Sequence, residues 1–168
     1  RNVIFTTVRL KQLDWVEDFI EKYIDHVNKE SKESIYNHAR GIISYVKKDY
    51  DTAIRLLSSV DLENPFYASD VKTHLAIIYF EQGHYESCAS VLDSFRHMVT
   101  SREEFSAIFR EVNIRFINTV TSYIRAITSG NKRNEILLKA KQKLVSYPMV
   151  NHKGWLLNKA DQLIEESV

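Results

Sequence analysis

Histidine and cysteine side chains are common metal ligands in proteins, and cysteine is also a common nucleophile. Two histidines bind one ion from a single helix when they stand four positions apart, so that both rings lie on the same face. None of the six histidines stands four positions from another. We therefore predict that they are structural and that the chain holds no metal ion or cofactor. They are His26, His38, His74, His84, His97 and His152.

The single cysteine, Cys88, excludes a disulfide within the chain and fits a reducing compartment, which favours a cytoplasmic location. It aligns with Ala53 in the internal repeat described below, where a small residue packs between two helices, so we expect a buried and inert thiol. The sequence contains no glycine-rich phosphate loop, nucleophile elbow or paired-carboxylate motif. We therefore expect that the chain is not an enzyme.

Charge is unevenly distributed along the chain. The whole chain has a net charge of +1, but residues 125–159 carry eight basic residues and one acidic residue, a net charge of +7. Binding of nucleic acid or of another anionic surface through this segment stays open as an alternative. A single-strand binder requires aromatic residues between its charges, and few stand there. We therefore favour a solvated helix face and expect no nucleic-acid partner. The basic residues are Arg125, Lys132, Arg133, Lys139, Lys141, Lys143, Lys153 and Lys159.

An internal repeat predicts the helices that carry these side chains. Residues 41–65 and 76–100 repeat each other at an offset of 35 positions, and residues 1–28 align more weakly at the same offset. Each copy predicts two helices joined by a tight turn, and such a hairpin must stack on a neighbour to bury its apolar face. The matched positions are Gly41, Asp49, Tyr50, Ala53, Leu57 and Pro65 with Ala76, His84, Tyr85, Cys88, Leu92 and Thr100.

The repeat predicts three helical hairpins over residues 1–100, with helices near 2–11, 14–28, 34–47, 50–60, 67–81 and 84–98. The first hairpin begins inside a helix, so we expect a truncated copy, with Val3, Ile4, Phe5 and Val8 incompletely covered. Residues 101–168 are predicted to cap the same domain. Ser101 and Glu104 have capping-box spacing, which predicts a long helix over 102–128, ending near Gly130 and followed by helices near 132–146 and 152–166. No apolar stretch is long enough to span a membrane.

Two sets of motifs carry a resemblance to known families. Leu75-Ala76-x-x-Tyr79, Gly83-x-Tyr85 and Cys88-x-x-x-Leu92 resemble the tetratricopeptide repeat, with Cys88 in place of the usual alanine. Leu13-Asp14-Trp15, Lys48-Asp49-Tyr50 and Trp155-Leu156-Leu157 are similar to the C-terminal part of uncharacterised helical-repeat proteins common in Bacteroidetes bacteria. The resemblance implies an all-α fold, a right-handed α-solenoid of tetratricopeptide-like helical hairpins with a C-terminal helical cap.

The tetratricopeptide resemblance also implies a function, a protein-interaction scaffold that binds a partner peptide or helix in the concave groove lined by the first helix of each hairpin. Most of the groove positions are apolar, which suits an amphipathic helix better than a C-terminal carboxylate. Two alternatives stay open: the chain's own helix 102–128 fills the groove, or the chain is a regulatory domain of a longer enzyme. The partner and the oligomeric state are not predicted. The predicted groove residues are His38, Ile42, Tyr45, Thr73, Ile77 and Phe80.

Overall fold

The structure is a computed structural model that describes residues 12–166, and the regular secondary structure of this range is entirely helical. The predicted all-α class is confirmed for these residues, whereas the solenoid arrangement stays a prediction. The predicted helix near 2–11 and its four apolar residues lie outside the described range. The α-helices are α1 Leu13–Tyr23, α2 Lys29–Val46, α3 Tyr50–Ser58, α4 Pro65–Glu81, α5 Tyr85–Ser101, α6 Ala107–Thr128, α7 Arg133–Ser146 and α8 Lys153–Glu165, with 3-10 turns at Ile24–His26 and Gly130–Lys132.

The chain forms two compact units, Arg1–His84 and Tyr85–Val168. The first contains α1 to α4 and the second contains α5 to α8. This division lies before α5, whereas the sequence repeat predicts a change of architecture only after residue 100. A repeat reports local similarity between segments, while a compact unit reports which helices pack together, so the two boundaries need not coincide.

In the first unit, α2 packs against α1, α3 and α4. Its buried residues recur at intervals of three and four positions, the spacing of a helix face that contributes to a core. Gly41 is one of them, and its missing side chain lets Leu57 of α3 approach the α2 backbone. The α2–α3 hairpin is therefore a close crossing, as the predicted small residues Gly41 and Ala53 require.

The two turns that end α2 and α4 have the same backbone geometry, 35 positions apart. Lys48 and Gly83 both have a positive φ, of 62° and 73°. In the first turn the amide of Asp49 donates to the carbonyl oxygen of Ser44 at 2.9 Å, and in the second that of His84 donates to Tyr79 at 2.8 Å. The offset found in the sequence is therefore also present in the local path of the chain.

Side-chain caps fix where the helices of the first unit begin. Asp49 caps the start of α3 by accepting a hydrogen bond from the amide of Thr52. Asn64 accepts from the amides of the second and third residues of α4, whose first residue is Pro65. By contrast, α2 begins five residues before the prediction, because Asn28 caps it by accepting from the amide of Ser31.

The predicted capping box at Ser101 is wrong. Helix α5 runs through Ser101, and α6 begins at Ala107, where Ser106 accepts a hydrogen bond from the amide of Phe109 at 3.2 Å. The later start places Phe105 outside the helix, where it is buried and stacks on the Phe109 ring with centroids 4.4 Å apart. Burial of Phe105 against the Phe109 ring outweighs the polar capping signal at residues 101–104.

In the second unit, α6 packs against α5, α7 and α8. Tyr123 lies at its centre, fully buried, and its hydroxyl donates to the carbonyl oxygen of Leu156 on α8 at 2.9 Å. Burial raises the pKa of this phenol. The helix ends at Thr128, and Gly130 follows with a φ of 51°, which confirms the predicted glycine stop.

Candidate binding surfaces

The six predicted groove residues lie on α2 and α4, which pack against each other in the first unit. Five of them are at most 4 % exposed, and Tyr45 is half-buried. A partner can reach these side chains only if the residues that cover them move, so their role in binding stays a prediction. The buried five are His38, Ile42, Thr73, Ile77 and Phe80.

Two of the groove residues belong to a buried polar cluster between α2 and α4. His38 Nε2 lies 3.8 Å from a carboxylate oxygen of Asp70, and the Tyr67 ring meets the His38 ring edge-on at 4.8 Å. His74 donates from Nδ1 to the main-chain carbonyl oxygen of Asp70 at 2.7 Å, and the Tyr45 ring lies edge-on to it at 5.2 Å. The cluster joins α2 and α4 and contains His38 and His74, two histidines that stand isolated in the sequence.

Burial shifts the pKa values of two side chains in this cluster toward their neutral forms. It lowers the pKa of the His74 imidazole, against the opposing effects of its bond to the Asp70 carbonyl and of the Asp70 carboxylate. It also raises the pKa of Tyr45 to about 12, with smaller contributions from Tyr50 and Glu81. A histidine held neutral and a tyrosine held protonated at neutral pH suit a structural helix contact.

Helix α1 carries a row of aromatic rings on an exposed face. Trp15, Phe19 and Tyr23 follow one another at four-residue spacing, and we call this row the aromatic stripe. The Trp15 and Phe19 rings stack with centroids 5.2 Å apart, and the Phe19 and Tyr23 rings lie 4.8 Å apart. Trp15 is 50 % exposed and Tyr23 is 44 % exposed. Val16 and Ile20 on another face of the helix are buried, so the stripe is apolar surface outside the core formed by the described residues of this unit.

Acidic side chains border the aromatic stripe. Helix α1 contains four acidic residues and one lysine, a net charge of −3. Glu17 is used within the unit, where it accepts from Lys47 at 2.7 Å and from Arg40 at 3.2 Å. Asp14 and Asp18 are exposed beside Trp15. The face therefore combines aromatic rings with negative charge, a combination that suits an apolar segment bearing lysine or arginine.

Helix α7 of the second unit presents a different exposed face, lined by Leu138, Lys141, Gln142 and Val145, which we call the α7 face. Leu138 is 51 % exposed and Val145 is 60 % exposed, while Leu137 and Leu144 are buried in the core. The helix contains four basic residues and one glutamate, a net charge of +3. It therefore has two apolar sides. One is buried in the core, and the other is exposed to solvent and bordered by basic side chains.

Several cations of the predicted basic segment 125–159 are engaged within the second unit. Lys139 pairs with Glu135 one turn away, and Lys141 pairs with Asp161 of α8. Arg133 donates to Glu166 at 3.2 Å, and Lys153 donates to the carbonyl oxygen of Tyr147 at 2.7 Å. The charge excess counted in the sequence is therefore partly compensated in the folded chain.

In the part of the chain that the structure describes, neither the cysteine thiol nor the potential metal ligands are arranged for the chemistry considered from the sequence. Cys88 is buried, and burial raises the pKa of its thiol to about 12, so the thiolate needed for attack is scarce at neutral pH. Within residues 12–166, no group of three or more histidine, cysteine, aspartate or glutamate side chains is placed to hold a metal ion. In the same range, no helix has the length and apolar character needed to cross a membrane.

Sequence analysis missed both exposed faces, although a signal for each is present. Trp15, Phe19 and Tyr23 recur every four positions, which marks one helix face, but Trp15 also aligns with Tyr50 in the repeat and was read only as part of that pattern. On α7, Leu138 and Val145 stand seven positions apart, beside Leu137 and Leu144 of the core. Periodicity shows that these residues share faces, but only packing shows which faces the core leaves exposed.

Comparison of this chain with protein-family models, with curated proteins and with solved structures finds no match to any of them. Its exposed faces are therefore the features from which a function is inferred.

Proposed function

We propose that this chain is a protein-interaction scaffold of tetratricopeptide-like helical hairpins that acts in the cytoplasm and captures a partner helix or peptide on the aromatic stripe of α1. The observation that carries the proposal is the exposure of Trp15 and Tyr23, stacked through Phe19 into one continuous row. Large aromatic side chains dominate binding energies at protein interfaces because each buries much area with few rotatable bonds.

The chemistry beside the stripe defines the class of partner. Asp14 and Asp18 favour lysine or arginine opposite them, and the ring faces of Trp15 and Tyr23 also attract cations. Lys22 already lies 5.5 Å from the centre of the Tyr23 ring, which illustrates such a contact within the chain. The proposed partner is therefore an amphipathic segment with an apolar side and basic edges.

The predicted groove is a second surface of the proposed scaffold, and it is less accessible than the aromatic stripe. The stripe is exposed in the described structure, whereas Ile77 and Phe80 are buried. A partner that binds the stripe needs no rearrangement of the helices, so we expect the stripe to contribute most of the affinity.

A comparative capture experiment tests this proposal. Immobilised wild-type chain and a Trp15→Ala/Tyr23→Ala variant are exposed to the same cell extract, and the retained proteins are compared by quantitative mass spectrometry. We expect at least one protein to be retained about tenfold less by the variant, a difference of roughly 1.4 kcal/mol in binding free energy.

The matched control is Ile108→Ala, which removes another exposed apolar side chain, 65 % accessible, from α6 of the second unit. It should retain the same proteins as wild type. A Tyr45→Ala/Phe80→Ala variant, checked for helicity by circular dichroism, measures the groove in the same experiment. Equal retention by wild type and the stripe variant would exclude the stripe, and loss only with the groove variant would transfer the function there.

A further inference from the structure

Two exposed faces of this chain complement each other in charge, apolar character and length. Asp14 and Asp18 are exposed beside the aromatic stripe, and Lys139 and Lys143 are exposed on α7, where Lys139 pairs with Glu135. Each presents apolar side chains along one exposed line, Trp15 to Tyr23 on α1 and Leu138 to Val145 on α7. At 1.5 Å per helical residue, the two lines span about 12 Å and about 10 Å.

We infer that the aromatic stripe of α1 in one copy binds the α7 face of a second copy, so that the chain associates with itself head to tail. This inference rests on the proposed function of the stripe and identifies one partner for it. The α7 face has the chemistry that the stripe favours, an apolar side with lysines at its edges.

The arrangement places Leu138 and Val145 against the aromatic rings, and the lysines of α7 near Asp14 and Asp18. Lys143 is exposed on α7, and Lys139 forms only an exposed pair with Glu135 one turn away. Exposed pairs of this kind contribute little free energy, so Lys139 exchanges its partner for a carboxylate of the second copy at little cost.

The geometry of association follows from the difference between the two faces. Because an α1 face binds an α7 face, each copy that joins leaves one face of each kind available at the ends of the assembly. Such a heterologous contact extends into a chain of copies or closes into a ring, whereas two identical faces would give a dimer that stops growing.

The test is sedimentation of the full chain over a range of concentrations up to the sub-millimolar. We expect the average mass of the wild type to rise with concentration above that of the monomer. Raising the salt concentration from about 50 mM to about 500 mM should weaken the association several-fold, because salt screens exposed charges. A wild type that stays monomeric throughout overturns the inference.

Two variants test which faces are involved. Trp15→Ala/Tyr23→Ala alters only the stripe, and Leu138→Gln/Val145→Gln alters only the α7 face. Each should be monomeric alone, and an equimolar mixture should form a one-to-one dimer that grows no further, because each variant supplies the face that the other lacks. Persistent self-association of the α7 variant, or a mixture without dimer, overturns the inference.

Asp14→Asn/Asp18→Asn provides a second route if an apolar variant fails to fold, since it changes charge alone and should weaken association in low salt. Ile108→Gln/Met149→Gln is the matched control, because both side chains are exposed and lie outside α1 and α7. It should associate like wild type. Capture of another protein through the stripe by a chain that stays monomeric would leave the proposed function standing and remove only self-association.

Discussion

Gly41 and Leu57 meet where α2 crosses α3, and a β-carbon built on Gly41 would lie 2.8 Å from Cγ of Leu57 and 2.9 Å from its Cδ2. Leu57 is fully buried and cannot turn toward solvent. The close approach of these two helices therefore depends on the absence of one methyl group.

The first prediction is that Gly41→Ala destabilises the chain. Overpacking costs about 1–3 kcal/mol, while alanine gains about 1 kcal/mol over glycine inside a helix, so we expect a net loss of up to about 2 kcal/mol. Urea unfolding followed by circular dichroism measures it. Gly154→Ala is the matched control, because nothing lies within 4 Å of its β-carbon position in α8. The control should leave stability unchanged or slightly raise it, and equal effects of the two substitutions would contradict the close crossing.

The second prediction concerns the two matched turns. Lys48 holds a φ of 62°, which an L-residue adopts at a cost of about 1–2 kcal/mol. Glycine avoids this cost, but it loses more backbone entropy on folding, which offsets part of the gain. Lys48→Gly should therefore raise the free energy of unfolding by about 0.5–1 kcal/mol. The reverse change, Gly83→Lys, places a side chain in open space at a φ of 73° and should lower stability by a similar amount. Changes of the same sign at both positions would show that the turns are not equivalent.

The third prediction concerns pH and the buried His74. Burial holds its pKa below the ordinary value of 6.5, so on acidification the unfolded chain takes up a proton before the folded chain does. The contribution of His74 to stability is therefore complete well above pH 6.5 and decreases as the pH falls below that value.

Denaturant unfolding at about pH 7.5 and about pH 5.5 measures this effect. His74→Gln keeps a side chain that can donate to the Asp70 carbonyl oxygen but cannot titrate, so its loss of stability over this interval should be smaller than that of wild type. His97→Gln, at an exposed position of α5, should follow wild type. An identical pH dependence in wild type and His74→Gln would remove His74 as the titrating group.

The fourth prediction tests the start of α6. Ser106→Ala removes the hydroxyl that accepts from the amide of Phe109 and should lower the free energy of unfolding by about 1 kcal/mol. Ser101→Ala, at the last residue of α5, should change it little. Thermal or urea unfolding of the two variants decides between the structure and the capping signal in the sequence. A larger loss at Ser101 would favour the earlier helix start.

Local signals in the sequence predicted those features of the fold that depend on local chemistry. The turn between α2 and α3 and the stop at Gly130 both follow from backbone sterics at a residue with positive φ. The start of α6 could not be read in this way, because burial of Phe105 against Phe109 competes with the polar signal and depends on the packed unit.

The candidate surfaces were harder to predict for the same reason. The repeat placed His38 and Thr73 on first helices of successive hairpins, and the structure buries both, with His38 at the contact between α2 and α4. Whether a helix face is core or surface depends on every helix that packs on it. The burial of Phe80 and the exposure of Trp15 are therefore results of tertiary packing rather than of spacing in the sequence.

The division into two compact units has a spectroscopic consequence. The chain contains two tryptophans, Trp15 in the first unit and Trp155 in the second, where it lies 6.4 Å from the Phe116 ring. Because Trp15 is half exposed and Trp155 is partly buried, their fluorescence should respond differently when each unit unfolds. Replacing either tryptophan by phenylalanine leaves a chain with one natural reporter, and coincident or separate transitions of the two reporters then measure how cooperatively the two units melt.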